Sequence, residues 1–202
     1  RQMCIRDSGS NAPVLNNLAG SNTIATALSL SNDVTLTNND TLTISGNIGG
    51  TGGLTQYGLG TTVFAGTNII SGGVTTIEGG TAVITGSLSS GLMYVGNTGT
   101  NASLVLTNGG SVWGGSLYVG YSAGADSNRV TVASNSALNL SGDLIIGDDL
   151  NTGNRLTVLG GGTATTGNLF VGSQTNGTPS AANSLLVSGS NSTVISLIQL
   201  VL

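Results

Sequence analysis

Four segments in the second half of the chain share one pattern, in which glycine opens and closes a short apolar strand. They are GLMYVG (91–96), GSLYVG (115–120), GDLIIG (142–147) and GNLFVG (167–172). Their closing glycines lie 24, 27 and 25 residues apart. A polar loop of variable length follows each segment. The regular spacing indicates an internal repeat of about 25 residues.

Each repeat also contains a second strand and a weaker third one. The second strands are SLVL (103–106), RVTV (129–132), RLTV (155–158) and SLLV (184–187), and ALNL (137–140) is the clearest third strand. One such repeat cannot bury its inner face alone, whereas stacked repeats share a continuous core. The sequence therefore predicts an all-β protein, a right-handed single-stranded parallel β-helix (β-solenoid) of about 25 residues per coil.

The composition agrees with strands and excludes several functional classes. Glycine fills 34 positions and charged residues only 6%, and there is no Lys and no His. Frequent glycine disfavours helices. The chain has four arginines and a net charge of −4, so it lacks the basic surface that binding to nucleic acid requires. The single cysteine, Cys4, precludes a disulfide within the chain. We expect no enzyme activity, no catalytic residue, no cofactor, no metal and no nucleic-acid partner.

Alternation within the first strand of each repeat predicts one outward column of large apolar side chains. The column contains Tyr94, Tyr118, Ile145 and Phe170, each between two inward residues. An exposed aromatic stripe is typical of a surface that binds a sugar or a partner protein. The alternative is that a long loop, such as residues 173–182, folds over the column and buries it.

Two other features have structural interpretations. Asn128, Asn154 and Asn183 each precede a second strand, and we expect them to form an amide ladder between coils. Trp113 is assigned an inward position equivalent to Leu140, which predicts that its indole packs in the core.

The ionisable side chains of the repeats have functional and structural alternatives. Asp148 and Asp149 follow a closing glycine, where solvated turn residues, a calcium site or part of an acidic catalytic group are the options; we favour the turn. Arg129 and Arg155 occupy the same register in adjacent coils and form either a partly compensated structural pair or a subsite for an anionic glycan.

The first half resembles a family motif. After the strands DVTLT (33–37) and TLTIS (41–45), the segments GGLTQYGLGTTVFAGTN (52–68) and SGGVTTIEGGTAVI (71–84) resemble the passenger-associated transport repeat of autotransporters, with its glycines in register. Three positions depart from the usual repeat, which has lysine at Gln56, leucine at Thr62 and an aromatic residue at Ile70. These departures leave the glycine positions of the motif unchanged.

The resemblance implies a non-enzymatic structural or adhesive passenger segment of an exported bacterial surface protein. Such a segment is exported through the periplasm and lies at the cell surface or is secreted, with an outer-membrane barrel expected elsewhere in the full-length chain. A host or matrix glycan or protein is the implied partner. A carbohydrate-active or carbohydrate-binding β-helix is an alternative, and a cell-wall-sorted surface repeat protein is another.

The expected organisation is one solenoid over residues 9–202. It comprises a transport-repeat-like block (22–86) and four coils (91–196). Residues 1–8 resemble a translated sequencing-adapter remnant and are interpreted as an artefact or an unstructured tail. The segment 194–202 lacks the glycine and asparagine of earlier coils, and we expect the chain to be truncated there.

Overall fold

The computed structural model describes residues 2–6, 13–172 and 180–202, and within these it consists of strands joined by turns. The expected all-β solenoid is confirmed, since parallel strands stack into about seven turns of about 24 residues each. A helix with the length and hydropathy needed to cross a membrane does not occur among these residues.

The described residues form 21 strands in two sheets. The first half contains β1 (Gln2–Arg6), β2 (Val14–Ala19), β3 (Asn22–Ile24), β4 (Leu28–Leu30), β5 (Val34–Asn38), β6 (Thr41–Ile44), β7 (Ile48–Gly50), β8 (Leu54–Tyr57), β9 (Thr61–Phe64), β10 (Thr67–Ile77), β11 (Thr81–Ile84) and β12 (Ser87–Val95). The second half contains β13 (Ser103–Leu106), β14 (Ser111–Val119), β15 (Arg129–Val132), β16 (Ala137–Leu140), β17 (Asp143–Ile146), β18 (Arg155–Leu159), β19 (Thr163–Val171), β20 (Ser184–Ser188) and β21 (Thr193–Val201).

Strands β3, β6, β9, β11, β13, β15, β18 and β20 form the second sheet, and the other thirteen form the first. Strands of successive coils pair in parallel, for example β9 with β11 and β12 with β14. The pairing of β1 with β2 is antiparallel, so residues 2–6 of the segment 1–8 form an edge strand of the first sheet. Within the segment 194–202, β21 adds to the stack by pairing with β19.

Each coil has three strand segments, as the repeat predicted. Two of them belong to the first sheet and meet at a bend, because the first half of β14 pairs with β16 and its second half pairs with β17. The third segment lies in the second sheet, where β13, β15 and β18 stack in turn.

Coil length differs between the two halves of the chain. Thr41, Thr61 and Thr81 occupy one register position in successive coils, 20 residues apart. Later coils are longer, since Arg129 and Arg155 pair at a spacing of 26 residues. The strand segments keep their length, so the added residues lie in the loops, where a solenoid accommodates them without disturbing its core.

One inward column shows how the core is continuous from coil to coil. Its members pair in register along the second sheet and are all buried: Ile44, Phe64, Ile84, Leu106, Val132 and Val158. Burying each such side chain contributes about 1.5–3 kcal/mol relative to exposure. Because every coil covers its neighbour, removing one core side chain weakens two interfaces.

The predicted asparagine ladder is confirmed. The Oδ1 atom of Asn154 accepts a hydrogen bond from the backbone N–H of Asn128 at 2.9 Å, and the Oδ1 atom of Asn183 accepts one from the N–H of Asn154 at 2.9 Å. The closing glycines pack on these amides. A methyl group on Gly96 would lie 2.1 Å from Nδ2 of Asn128, so this position has no room for a Cβ.

The three departures from the transport-repeat pattern are buried. Gln56 and Thr62 have no exposed surface, and Ile70 is 1% exposed. The Thr62 hydroxyl accepts a hydrogen bond from Nδ2 of Asn38 at 2.9 Å, and Nε2 of Gln56 donates to the carbonyl of Gly79 at 3.2 Å. Each polar side chain therefore makes a hydrogen bond within the coil stack, which lowers the cost of its burial, whereas Oε1 of Gln56 has no partner among the described residues.

The predicted inward position of Trp113 is wrong. Trp113 pairs in register with Asn139, one residue before Leu140, and its side chain is 56% exposed. Strand alternation explains the difference, because Val112 is the buried residue of that segment and the next side chain must point to the opposite face. The chain thus carries its one tryptophan on its surface.

Candidate functional site

The predicted aromatic column exists as a line of register partners on the first sheet. Tyr94, Tyr118, Ile145 and Phe170 follow one another through β12, β14, β17 and β19. The alternation is also as expected, since Leu117 is buried while Tyr118 is half-exposed. Ile145, however, is only 8% exposed. Tyr94, Tyr118 and Phe170 are half-buried, so the column is interrupted at Ile145.

A third tyrosine completes an aromatic group that we name the tyrosine cluster, consisting of Tyr94, Tyr118 and Tyr121. The rings of Tyr94 and Tyr118 are stacked, with centroids 5.3 Å apart and planes 25° apart. Tyr121 lies 5.1 Å from Tyr94 in a tilted geometry and 5.0 Å from Tyr118 edge-to-face. Contacts of this kind contribute about 0.5–1.5 kcal/mol per pair beyond area burial.

Tyr121 reaches the column because the chain turns sharply after β14. Gly120 has φ of 73°, and the N–H of Tyr121 donates to the carbonyl of Gly96 at 3.0 Å, which holds the turn against the preceding coil. The equivalent positions after the neighbouring closing glycines carry Asn97 and Asp148. Sequence reasoning missed Tyr121, although an aromatic residue directly after a closing glycine was the available signal.

Burial and two nearby carboxylates affect the phenols of this cluster. Burial raises the pKa of Tyr118, and repulsion from Asp143, Tyr121 and Asp148 raises it further. Burial, then repulsion from Tyr121 and Tyr118, also raises the pKa of Tyr94. Both phenols therefore keep their protons at neutral pH and are available as hydrogen-bond donors.

The geometry suits contact with a partner from outside the cluster. The rings touch one another, so no space remains between them for an enclosed ligand. Tyr121 is 39% exposed, so its ring offers an aromatic face to a partner. Tyrosine is enriched in protein interfaces, and an aromatic face attracts the cationic side chains of arginine and lysine.

Of the loop 173–182, which we considered as a cover for the column, residues 173–179 lie outside the described part of the chain. At the described end of the loop, the Ser180 hydroxyl donates to the carbonyl of Gly147 at 3.2 Å. Gly147 directly follows β17, which carries Ile145.

The remaining candidates have structural surroundings. Asp148 and Asp149 form the turn after β17, with the N–H of Asp149 donating to Oδ1 of Asp148 at 3.1 Å. The turn assignment is confirmed, but Asp148 is 2% exposed rather than solvated. Arg129 and Arg155 are register partners as predicted. Among the described residues, no group of three or more His, Cys, Asp or Glu side chains is placed to hold a metal ion.

Comparison of the chain with protein-family models, with curated proteins and with solved structures finds no match.

Proposed function

We propose that this chain is a non-enzymatic structural and adhesive passenger segment of an exported bacterial surface protein, located at the cell surface or secreted. The stacked coils form a structural scaffold that presents the surface of the protein outside the cell, and the tyrosine cluster contacts a host or matrix partner. The resemblance of residues 52–84 to the transport repeat of autotransporters supports the export part of this proposal.

The observation that carries the proposal is the continuity of the stack through the transport-repeat-like block. Strand β10 of this block pairs over both of its halves with β12, and β11 pairs with β13 in full register. The block is thus part of the same coil series as the later repeats. Such a series can add coil after coil as the chain emerges on the far side of a membrane, because each coil is templated by its neighbour.

Export is tested by placing the chain between a signal peptide and an autotransporter barrel in a Gram-negative host. Surface exposure is measured on intact cells by antibody binding and by protease cleavage. We expect efficient display, and we expect Val112→Asp to reduce it, since this change buries a charge at a fully buried position. Val105→Asp, at a half-exposed outward position, is the matched control.

Retention of the unsubstituted chain in the periplasm, with the barrel correctly inserted, would contradict the export proposal. The adhesive part is tested separately with the purified chain on host cells and matrix proteins. Tyr121→Ser should reduce attachment, while Tyr57→Ser, at a tyrosine that is 46% exposed outside the cluster, should leave it unchanged. Equal attachment of both variants refutes a role of the tyrosine cluster.

A further inference from the structure

A second surface feature lies on the other segment of the first sheet, away from the tyrosine cluster. An open depression of about 530 Å³ surrounds Trp113, and we name it the tryptophan groove. Gly91, Gly114 and Gly115, where the first-sheet strands bend, line it beside Trp113. Because glycine has no side chain, these three positions leave backbone groups open to the groove.

Short polar side chains border the indole along the stack. Ser89 and Asn139 are the register partners of Trp113 in the two adjacent coils, and Thr165 follows Asn139 in the next coil. These three side chains make no hydrogen bond to other described residues of the protein. At roughly 4.8 Å per coil, Ser89 and Asn139 lie roughly 10 Å apart across the indole. The groove thus presents hydroxyl and amide groups on both sides of one aromatic face.

The chemistry of this surface selects among ligand classes. None of the described residues that line the groove is charged, which disfavours nucleic acids and acidic polysaccharides, since both need cationic partners. The strands under the groove have hydrogen-bonded neighbours on both sides, so a peptide cannot add there as an extra strand. An apolar helix would require several large apolar side chains, and among the described residues Trp113 is the only one that lines the groove with an exposed side chain.

We infer that the tryptophan groove binds a neutral oligosaccharide. A pyranose ring has an apolar C–H face that can lie on the indole, while its hydroxyls donate to and accept from Ser89, Asn139 and Thr165. The inference names a ligand class for the adhesive part of the proposed function, and it rests on that proposal for the location of the protein at the cell surface. If the chain is exported normally but binds no sugar, the display role is retained and only the proposed sugar site is refuted.

The experiment uses the intrinsic fluorescence of the chain, because Trp113 is its only tryptophan. The purified chain is titrated with cellohexaose, maltohexaose and N-acetylchitohexaose, and with an oligogalacturonate as the acidic counterpart. We expect at least one neutral oligosaccharide to change the emission saturably below about 1 mM, and the oligogalacturonate to have no effect. Calorimetry then measures binding by variants that lack the indole.

Three variants separate stacking, hydrogen bonding and access. Trp113→Ala should weaken binding at least about tenfold, and Asn139→Ala about three- to tenfold. Gly91→Leu should abolish binding because the leucine side chain would fill the groove. The fold should stay intact, since an added Cβ at Gly91 meets no atom within 4 Å. Tyr57→Ala is the control for loss of an exposed aromatic residue, and circular dichroism confirms that each variant is folded.

The inference is overturned if no neutral oligosaccharide changes the emission up to about 10 mM, or if only the oligogalacturonate binds. It is equally overturned if folded Gly91→Leu binds as tightly as the unsubstituted chain, since the sugar would then occupy another surface.

Discussion

The fit between Gly96 and the asparagine ladder leads to a measurable difference between two glycine substitutions. Gly96 and Gly109 have nearly the same backbone conformation, with φ of 72° and 76°. An added Cβ at Gly96 would lie 2.1 Å from Nδ2 and 2.3 Å from Cγ of Asn128, whereas one at Gly109 meets nothing within 4 Å. Gly109→Ala thus reports the conformational cost alone, and Gly96→Ala adds the clash with Asn128.

The magnitude follows from the contacts of Asn128. Its Oδ1 atom accepts from the N–H of Ala102 at 2.8 Å, and its Nδ2 atom donates to the carbonyls of Gly99 at 3.1 Å and Ala125 at 3.0 Å. A left-handed alanine costs about 1–2 kcal/mol. Displacing the buried amide costs about 2–3 kcal/mol more, because its hydrogen bonds are lost without replacement by water. We expect about 3–5 kcal/mol for Gly96→Ala and about 1–2 kcal/mol for Gly109→Ala.

The assay is urea unfolding followed by far-ultraviolet circular dichroism and by Trp113 fluorescence, with linear extrapolation of the free energy of unfolding. Two probes are needed because a solenoid can lose coils separately, and coincident transitions identify global unfolding. If the two alanine variants differ by less than about 0.5 kcal/mol, the packing of Gly96 on Asn128 does not stabilise the fold as reasoned.

A double-mutant cycle tests the same contact independently. Asn128→Ala removes the amide that the new methyl group would meet, so Gly96→Ala should cost less in that background than in the unsubstituted chain. The expected coupling is about 1–2 kcal/mol. Strict additivity of the two substitutions would refute the proposed clash, even if each variant alone is destabilised.

Two further predictions concern the core and the tyrosine cluster. Leu106→Ala should lower the free energy of unfolding by about 2–5 kcal/mol, because Leu106 is fully buried in the inward column; Val105→Ala, outward in the same strand, should cost clearly less, and equal urea midpoints would contradict the assigned faces. The raised pKa of Tyr94 and Tyr118 means that the folded state holds the phenolic protons more tightly than the unfolded chain, whose pKa is about 10. The contribution of these two phenols to stability should therefore be constant below about pH 10 and should be lost as the pH rises through the folded pKa. Melting temperatures measured across this range should show a smaller alkaline loss in the Tyr94→Phe/Tyr118→Phe variant, and an identical loss in both proteins would exclude these phenols as its cause.

Most strands of the repeats, most of their inward faces and the asparagine ladder were predictable from the repeat. Side chains alternate with a period of two along a strand, and a repeated coil places equivalent residues directly above one another. For this reason the sequence alone aligns Tyr94, Tyr118, Ile145 and Phe170 correctly. The same rule, applied with the right register, places Trp113 outward; the error was an offset of one residue, which reverses the face of a strand residue.

Which residues make up the candidate site could be decided only from the tertiary structure. Tyr121 lies in a loop, and only the turn at Gly120, held by a bond to the preceding coil, brings its ring onto Tyr94 and Tyr118. Ile145 is buried although its register position faces outward, because burial depends on what covers a face and not only on alternation. Local periodicity thus decides which side of the solenoid each strand residue occupies. The exposure of a side chain and the neighbours it meets depend on bends and loops that join residues distant in sequence, and no repeat pattern encodes those.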